Sequence, residues 1–257
     1  IKLMILNSKV LGSSKKKIII LHGFLGSLDN WITFSKKISE NNFEVHLLDQ
    51  RNHGKSFHSN EFNYELMVKD LHEYMSKFNI NSVSIIGHSM GGKTAMLFSL
   101  IYPDLVEKLI VVDILPVSYN KSYDLIFDSL LSINLKQIKS RNEFNLHLKK
   151  YFDDDGFILF LSKNLKRSLD GSFEYKSNIK VLKETYSNIT SSIYYHKEYA
   201  KEVLFIKGEN SDYIDSENLK ITSKLFPKYK LTEIKNAGHW IHHENPDDFF
   251  SICLNYL

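Results

Sequence analysis

Six short runs of apolar residues recur along the chain, and each is followed by residues typical of turns. Most of the segments between them space their apolar positions three or four residues apart, as an amphipathic helix does. Continuous apolar runs of this length predict strands buried on both faces of a parallel sheet. Their alternation with helices predicts a doubly wound α/β sheet. The predicted strands cover residues 17–23, 44–50, 82–88, 109–115, 202–208 and 230–236.

The alternation is interrupted once, between the runs at 109–115 and 202–208. The residues between these runs show helical patterns and no good candidate for a buried strand. We therefore predict a core made of residues 1–116 and 201–257, with a helical cap inserted at 117–200. A chain of 257 residues is long enough for one large core with such an insertion.

Composition and charge narrow the classes of partner. The net charge is only +3, from 33 Lys and Arg against 30 Asp and Glu, and the basic residues are scattered, so no nucleic-acid partner is predicted. No apolar run approaches the length of a membrane span, and the first residues lack the order of a secretory leader, so we expect a cytoplasmic protein. The single cysteine, Cys253, cannot form an internal disulfide. The sequence leaves the oligomeric state open.

Residues 85–96, "IIGHSMGGKTAM", fit two unrelated catalytic patterns. The first is G-x-S-x-G, a strand-to-helix elbow that exposes a nucleophilic serine, here Ser89. The second is G-x-x-x-x-G-K-[ST], a loop that cradles phosphates and would use Lys93 and Thr94. Both patterns need a buried strand before them and a helix after them, so the local sequence cannot decide between them.

Distant segments favour the serine nucleophile. The phosphate-loop hypothesis can use Asp113 as a magnesium ligand, but it gives no role to "LHGFLGS" at 21–27 or "NAGHWIHHENP" at 236–246. A serine needs a histidine that takes its proton and a carboxylate that orients the histidine. Ser89, Asp113 and His239 occur in a suitable order, and each comes at the end of a predicted strand.

Two carboxylates compete for the third position. Asp113 ends the apolar stretch "LIVVD", whereas Asp212 lies in "GENSDYID", after the next predicted strand. Ser211, beside Asp212, cannot stabilise an imidazolium as a carboxylate does, so its predicted role is that of an auxiliary hydrogen-bond partner. We favour Asp113 as the acid and keep Asp212 as the alternative.

The remaining candidate residues would bind the substrate. The oxyanion hole needs backbone N–H donors, for which we predict Met90, directly after the nucleophile, and Phe24, in the glycine-rich loop after the first predicted core strand. The other residues predicted to line the substrate pocket are Leu25, Trp240, Tyr119, Tyr123 and Phe127.

A zinc site built from His239, His242 and His243 lacks a supporting H-E-x-x-H motif or cysteine pair, and neither a metal nor an organic cofactor is predicted.

Taken together, six segments make the chain resemble the α/β-hydrolase superfamily, and within it the small esterases of the bacterial YbfF type, over nearly all of residues 18–257. They are "HGFLGSLDNW", "DQRNHGKS", "GHSMGGK", "VVDILPVSY", "GENSDYI" and "AGHWIHHENPDDF". The resemblance implies an α/β-hydrolase fold, with a mostly parallel central sheet flanked by helices and an inserted helical cap. It also implies that Asp113 is the acid and that Ser211 assists it.

The same resemblance implies hydrolysis of carboxylic esters and, in some members, of acyl-CoA thioesters. The expected function is cleavage of short- to medium-chain esters through an acyl-enzyme on Ser89, with a small-molecule acyl ester or thioester as the partner. Fold and triad alone do not determine the reaction, because C–C bond hydrolases, cofactor-free haloperoxidases and some lyases use the same triad. A ligand receptor without turnover on the same scaffold is a further alternative. Several basic residues of the predicted cap could meet a CoA phosphate, although solvation explains them equally well: Lys121, Lys163, Lys166 and Arg167.

Overall fold

The computed structural model describes residues 4–257. Its strands are β1 (Ser8–Leu11), β2 (Lys17–Leu21), β3 (Glu44–Leu48), β4 (Val83–His88), β5 (Val106–Val112), β6 (Leu165–Arg167), β7 (Phe173–Tyr175), β8 (Val203–Gly208) and β9 (Tyr229–Ile234). Its α-helices are α1 (Ile32–Ser39), α2 (Tyr64–Lys77), α3 (Met90–Ile101), α4 (Asp124–Leu131), α5 (Arg141–Leu148), α6 (Asp155–Ser162), α7 (Ile179–Glu184), α8 (Tyr186–Thr190), α9 (Ser216–Leu225), α10 (Ile241–Glu244) and α11 (Pro246–Tyr256). Two 3₁₀ helices cover Leu28–Trp31 and Pro103–Leu105.

Seven strands form one sheet in the order β1-β3-β2-β4-β5-β8-β9. All pairs are parallel except β1 with β3, which is antiparallel. The mostly parallel α/β sheet predicted from the apolar runs is therefore confirmed. Each predicted strand overlaps an observed one, but β1 was not predicted because it is a short edge strand whose residues are all at least partly exposed.

The predicted strand at 109–115 is shifted by three residues, because β5 covers Val106–Val112. Asp113 is consequently the first residue after the strand rather than part of it, and its φ is +51°. The residues that follow turn away from the sheet although they are apolar and buried. An apolar run marks burial and does not distinguish a strand end from a buried loop.

The segment between β5 and β8 contains helices α4 to α8 and a two-stranded antiparallel sheet of β6 and β7. The sequence offered no good candidate for a buried strand here, and neither of these strands is buried along its length. The two strands have three residues each, and only one residue in each is buried, Leu165 and Phe173. Such short, half-exposed strands produce no recognisable apolar run.

Two hydrophobic clusters cover the two faces of the sheet, as the alternation along β2 illustrates. Ile19 packs into one cluster with α2, α3 and the segment between β5 and β8, whereas Ile18 and Ile20 pack into the other with α1 and α11. Cys253 is buried in the second cluster. Within residues 4–257, no helix has both the length and the apolar character needed to cross a bilayer.

Candidate active site

Ser89 lies at the elbow between β4 and α3, with φ +51° and ψ −116°. A non-glycine residue in this region is strained, and such strain is commonly found at functional sites. The flanking glycines make the turn possible. A Cβ atom on Gly87 would lie 2.4 Å from the backbone oxygen of Gly91, and one on Gly91 would lie 2.4 Å from the backbone oxygen of Leu21. The close packing of α3 against the sheet therefore requires glycine at both positions of the motif.

Asp113 is fully buried at the end of β5, the strand next to β4. Its Oδ2 accepts a hydrogen bond from Nδ1 of His239 at 2.7 Å and another from the hydroxyl of Ser211. Its Oδ1 accepts from the backbone N–H of Gly208 at 3.2 Å. Burial of a carboxylate is unfavourable unless donors compensate it, and these three donors do so.

His239 lies in the loop between β9 and α10. Its ring stacks on Tyr213 at a centroid distance of 4.0 Å. Nε2 of His88 donates to the backbone oxygen of His239 at 2.8 Å. Because Asp113 accepts from Nδ1, the Nε2 atom of His239 is left for the pocket that this histidine and Ser89 line together.

His88, between the motif glycine and Ser89, was not singled out in the sequence. It is buried, and burial lowers its pKa well below the usual value, an effect reinforced by the neighbouring His239 and His242. The ring is therefore neutral at physiological pH, and its Nε2 proton makes the bond to the backbone of His239. Its position directly before the nucleophile, inside the elbow motif, is the signal that could have identified it.

Asp212 pairs with a lysine and makes no hydrogen bond to the imidazole within residues 4–257. Nζ of Lys121 lies 2.6 and 2.8 Å from its two carboxylate oxygens, and this pairing lowers the pKa of Asp212. The Asp212 side chain is 78% exposed. The structure brings Asp113, and not Asp212, into contact with His239.

The two predicted oxyanion donors flank Ser89. Phe24 lies in the loop after β2, and Met90 is the first residue of α3. Among residues 4–257, neither backbone N–H donates to a protein acceptor, whereas the N–H of Leu25 donates to Nε2 of His53 at 3.2 Å. Both residues line one pocket together with Ser89, so their N–H groups are candidates for the donors that an oxyanion requires.

The loop at 49–56 supports the segment that carries Phe24. The Asp49 carboxylate accepts from the backbone N–H groups of Leu28 and Lys55, each at 2.8 Å. Arg51 forms a buried ion pair with Asp70 at 2.6 Å. These contacts tie the loop to the segment that carries Phe24 and to α2.

Two pockets meet at Ser89, and Phe24 and Tyr123 line both. The first, here called the histidine-side pocket, is lined by His22, Gly23, Phe24, Leu25, Gly26, Asn30, Trp31, His88, Ser89, Tyr123, Phe157, Phe160, His239, Trp240 and His242. The second, the tyrosine pocket, is lined by Phe24, Tyr64, Ser89, Met90, Lys93, Ile114, Tyr119, Lys121, Tyr123, Tyr186, Ile189, Thr190 and Tyr213.

Most of the predicted pocket residues line one of these two pockets. Leu25 and Trp240 line the histidine-side pocket, and Tyr119 lines the tyrosine pocket. Phe127 lines neither of them. This residue is 1% exposed and packs behind Phe24, with a ring centroid distance of 6.0 Å. Phe157, Phe160 and Tyr186 were not predicted, because periodicity does not reveal which face of an inserted helix turns toward the serine. Tyr213, which was not predicted either, lies in the loop between β8 and α9.

The phosphate-loop hypothesis is inconsistent with the position of Lys93. Its side chain is 1% exposed, and Nζ donates to the backbone oxygens of Val117 and Ser191 at 2.7 and 2.6 Å. Burial lowers the pKa of Lys93 to about 7. The hydroxyl of Thr94 is hydrogen-bonded to Gln50 at 2.9 Å. The two side chains that would hold phosphate and metal therefore form hydrogen bonds to other protein groups instead.

The histidines considered for zinc do not converge. His242 stacks on Trp31 at a centroid distance of 4.0 Å, while His239 faces Asp113. Within the described part of the chain, no three His, Cys, Asp or Glu side chains are grouped as metal ligands would be.

Several known proteins are similar to this chain in sequence and in fold. A family model described as "alpha/beta hydrolase fold" matches residues 16–246. The Escherichia coli esterase YbfF is 32% identical over 243 residues, which cover 93% of this chain and 92% of that protein. A Mus musculus sn-1-specific diacylglycerol lipase is 31% identical over 247 residues, or 93% of this chain and 80% of that protein. A solved marine microorganism esterase has a TM-score of 0.96 and 41% identity, with 99% of this chain and 100% of that chain covered. The chain therefore belongs to the α/β-hydrolase family, among its esterases and lipases.

Proposed function

We infer that the chain hydrolyses short- to medium-chain carboxylic esters through an acyl-enzyme on Ser89, with His239 as general base and Asp113 as its orienting acid. The observation that carries this inference is the 2.7 Å contact between Nδ1 of His239 and Oδ2 of Asp113, in a loop whose histidine shares a pocket with Ser89. Contact with the carboxylate favours one tautomer and stabilises the imidazolium that forms during the reaction.

In the first step, Oγ of Ser89 attacks the ester carbonyl and its proton passes to Nε2 of His239. The alkoxide oxygen of the alcohol leaves with that proton. In the second step, water loses a proton to His239 and attacks the acyl carbonyl. The bond between the acyl carbon and Oγ of Ser89 then breaks, the acid leaves, and His239 returns the proton to Oγ. The negative oxygen in both steps is stabilised by the N–H groups of Phe24 and Met90, which have no other protein acceptor among residues 4–257.

An ester is the substrate that the relatives support, since two of them are named as an esterase and a diacylglycerol lipase. The walls of the two pockets are mainly aromatic and aliphatic, which suits the apolar parts of an ester. We also infer that residues 117–200 form a cap over the serine, because Tyr123, Phe157 and Tyr186 from this segment line the pockets.

The decisive experiment is hydrolysis of p-nitrophenyl butanoate by the wild-type protein and by Ser89→Ala. The wild type should release many equivalents of nitrophenol per molecule, and the variant should lose at least about 1000-fold in kcat/KM. Ser223→Ala, at a partly exposed serine of α9 that lines neither pocket, is the matched control and should behave as the wild type. Release of a single equivalent by the wild type, as by a receptor, would contradict the proposal. So would near-normal turnover by Ser89→Ala.

A further inference from the structure

The two pockets beside Ser89 differ in their relation to the histidine. His239 lines the histidine-side pocket but not the tyrosine pocket, whereas Met90, one of the proposed oxyanion donors, lines only the tyrosine pocket. An ester bound at Ser89 must place its acyl part and its alcohol part in different directions. The position of the imidazole determines which pocket the acyl part occupies and which pocket the alcohol part occupies.

The leaving alkoxide has to receive the proton held by the histidine. A proton donor must lie within hydrogen-bond reach of the atom that it protonates. The alcohol part of the ester therefore lies on the side of His239, in the histidine-side pocket. The acyl part is left with the tyrosine pocket.

The tyrosine pocket is small and its walls are tied together. Its cavity volume is about 40 Å³, which holds roughly three water-sized groups. The hydroxyl of Tyr64 donates to the backbone oxygen of Ile189 at 2.7 Å, and that of Tyr119 donates to the backbone oxygen of Tyr213 at 2.8 Å. Each of these bonds joins two residues that line the pocket, so the bonds oppose widening of the pocket. It suits an acyl group of about two to four carbons.

The histidine-side pocket itself has a cavity volume of only about 20 Å³, but it adjoins a larger space. It shares Phe157, Phe160 and Trp240 with a neighbouring groove whose cavity volume is about 270 Å³. The three rings lie 5.6 to 6.3 Å apart by their centroids and form an aromatic wall between pocket and groove. Leu159 of α6 also lines the groove and is 56% exposed. A chain that passes these rings meets apolar surface that is otherwise in contact with water.

We propose that the substrate of this site is an ester of a short acyl group, from acetyl to butanoyl, with an apolar alcohol of about six carbons or more. This proposal rests on the proposed function and adds a direction to it. The short acyl group is transferred to Ser89 and then to water, which gives the acid. The long alcohol takes the proton from His239 and leaves through the groove beside α6. Ester and water are consumed, and one acid and one alcohol are formed.

Two isomeric esters test the direction without any mutation. Octyl acetate and ethyl octanoate have the same atoms and nearly the same hydrophobicity, but their long chains lie on opposite sides of the carbonyl. We expect the wild-type kcat/KM for octyl acetate to exceed that for ethyl octanoate by at least about tenfold, since the ethyl ester has to place eight carbons in the tyrosine pocket and cannot use the groove. Equal rates, or faster cleavage of ethyl octanoate, would overturn the proposal.

A pair of variants tests the groove. Leu159→Glu puts a charge on the proposed alcohol path, whereas Leu146→Glu puts the same charge on α5, at a leucine that is 55% exposed and lines neither pocket nor the groove. Leu159→Glu should lower the ratio of octyl acetate to ethyl octanoate cleavage at least about fivefold, mainly through a higher KM for octyl acetate. Leu146→Glu should leave the ratio unchanged. A ratio altered equally by both variants, or by neither, would count against the groove.

Hydrolysis of p-nitrophenyl butanoate separates this proposal from the function on which it depends. Turnover of that ester with no preference between the isomers rejects the direction and leaves the serine hydrolase intact. Failure to cleave any of the three esters rejects the proposed function itself.

Discussion

Nδ1 of His239 lies 2.7 Å from Oδ2 of Asp113, although 126 residues separate them along the chain. The contact forms because β5 and β9 end at the same edge of the sheet, with only β8 between them. Ser211 follows β8 and donates its hydroxyl to the same carboxylate oxygen. One buried oxygen thus links the ends of three neighbouring strands.

The first prediction concerns the identity of the acid. Asp113→Asn should lower kcat for p-nitrophenyl butanoate by about 10³- to 10⁴-fold, because an amide favours the wrong imidazole tautomer and carries no charge. Asp212→Asn should change kcat less than about threefold, since its carboxylate pairs with Lys121 at the surface. Steady-state kinetics of both variants are the measurement. The reverse order of effects would make Asp212 the acid.

The second prediction assigns Ser211 a positioning role. Ser211→Ala removes one donor to the buried carboxylate and should lower kcat about tenfold, which corresponds to about 1.4 kcal/mol. KM should change little, because Ser211 lines neither pocket. Ser211→Thr retains the hydroxyl and should recover most of the rate. An unchanged kcat in Ser211→Ala, or a loss confined to KM, would refute the role.

The third prediction concerns how the inserted segment is held. Lys93 of α3 donates to backbone oxygens near both ends of this segment, that of Val117 near its start and that of Ser191 near its end. Lys93→Met would remove the donor from two backbone acceptors, of which the one at Val117 is in a buried contact, and should reduce the free energy of unfolding by about 1 to 3 kcal/mol. Urea denaturation measures it, with Lys180→Met, at an exposed lysine of α7, as the control. Equal stability of the two variants would show that the contact is dispensable.

The fourth prediction is a dependence of stability on pH. Burial lowers the pKa of His53 to about 3, from an ordinary value of 6.5. Between these values the unfolded chain binds a proton that the folded chain does not bind. The contribution of His53 to stability is therefore complete above pH 6.5 and falls by about 1.4 kcal/mol per pH unit as the pH decreases toward 3.

Urea denaturation at pH 7, 6 and 5 tests this dependence. His53→Gln keeps a group that can accept from the N–H of Leu25 but does not titrate, so its stability should fall less steeply with acid than that of the wild type. His196→Gln, at an exposed histidine, should retain the wild-type slope. Identical slopes for all three proteins would mean that His53 does not contribute.

Local sequence determined much of this protein. Six apolar runs predicted six strands, since burial on both faces of a parallel sheet requires continuous apolar residues. The elbow at Ser89 could also be predicted. A Cβ atom at either of its glycines would clash with backbone atoms that lie only a few residues or one strand away. Strand β1 and the pair β6 and β7 escaped prediction, because short and partly exposed strands need few apolar residues.

Tertiary structure alone decided the rest. Asp113 and Asp212 both follow strands, and the sequence order of Ser, acid and His fits either; the turn after β8 directs Asp212 to Lys121 and leaves Asp113 against the imidazole. The pocket walls contributed by Phe157, Phe160 and Tyr186 depend on how the inserted helices pack over the sheet. A residue pattern records which positions avoid water, but the direction of a side chain at a site depends on contacts between segments that are far apart in the chain.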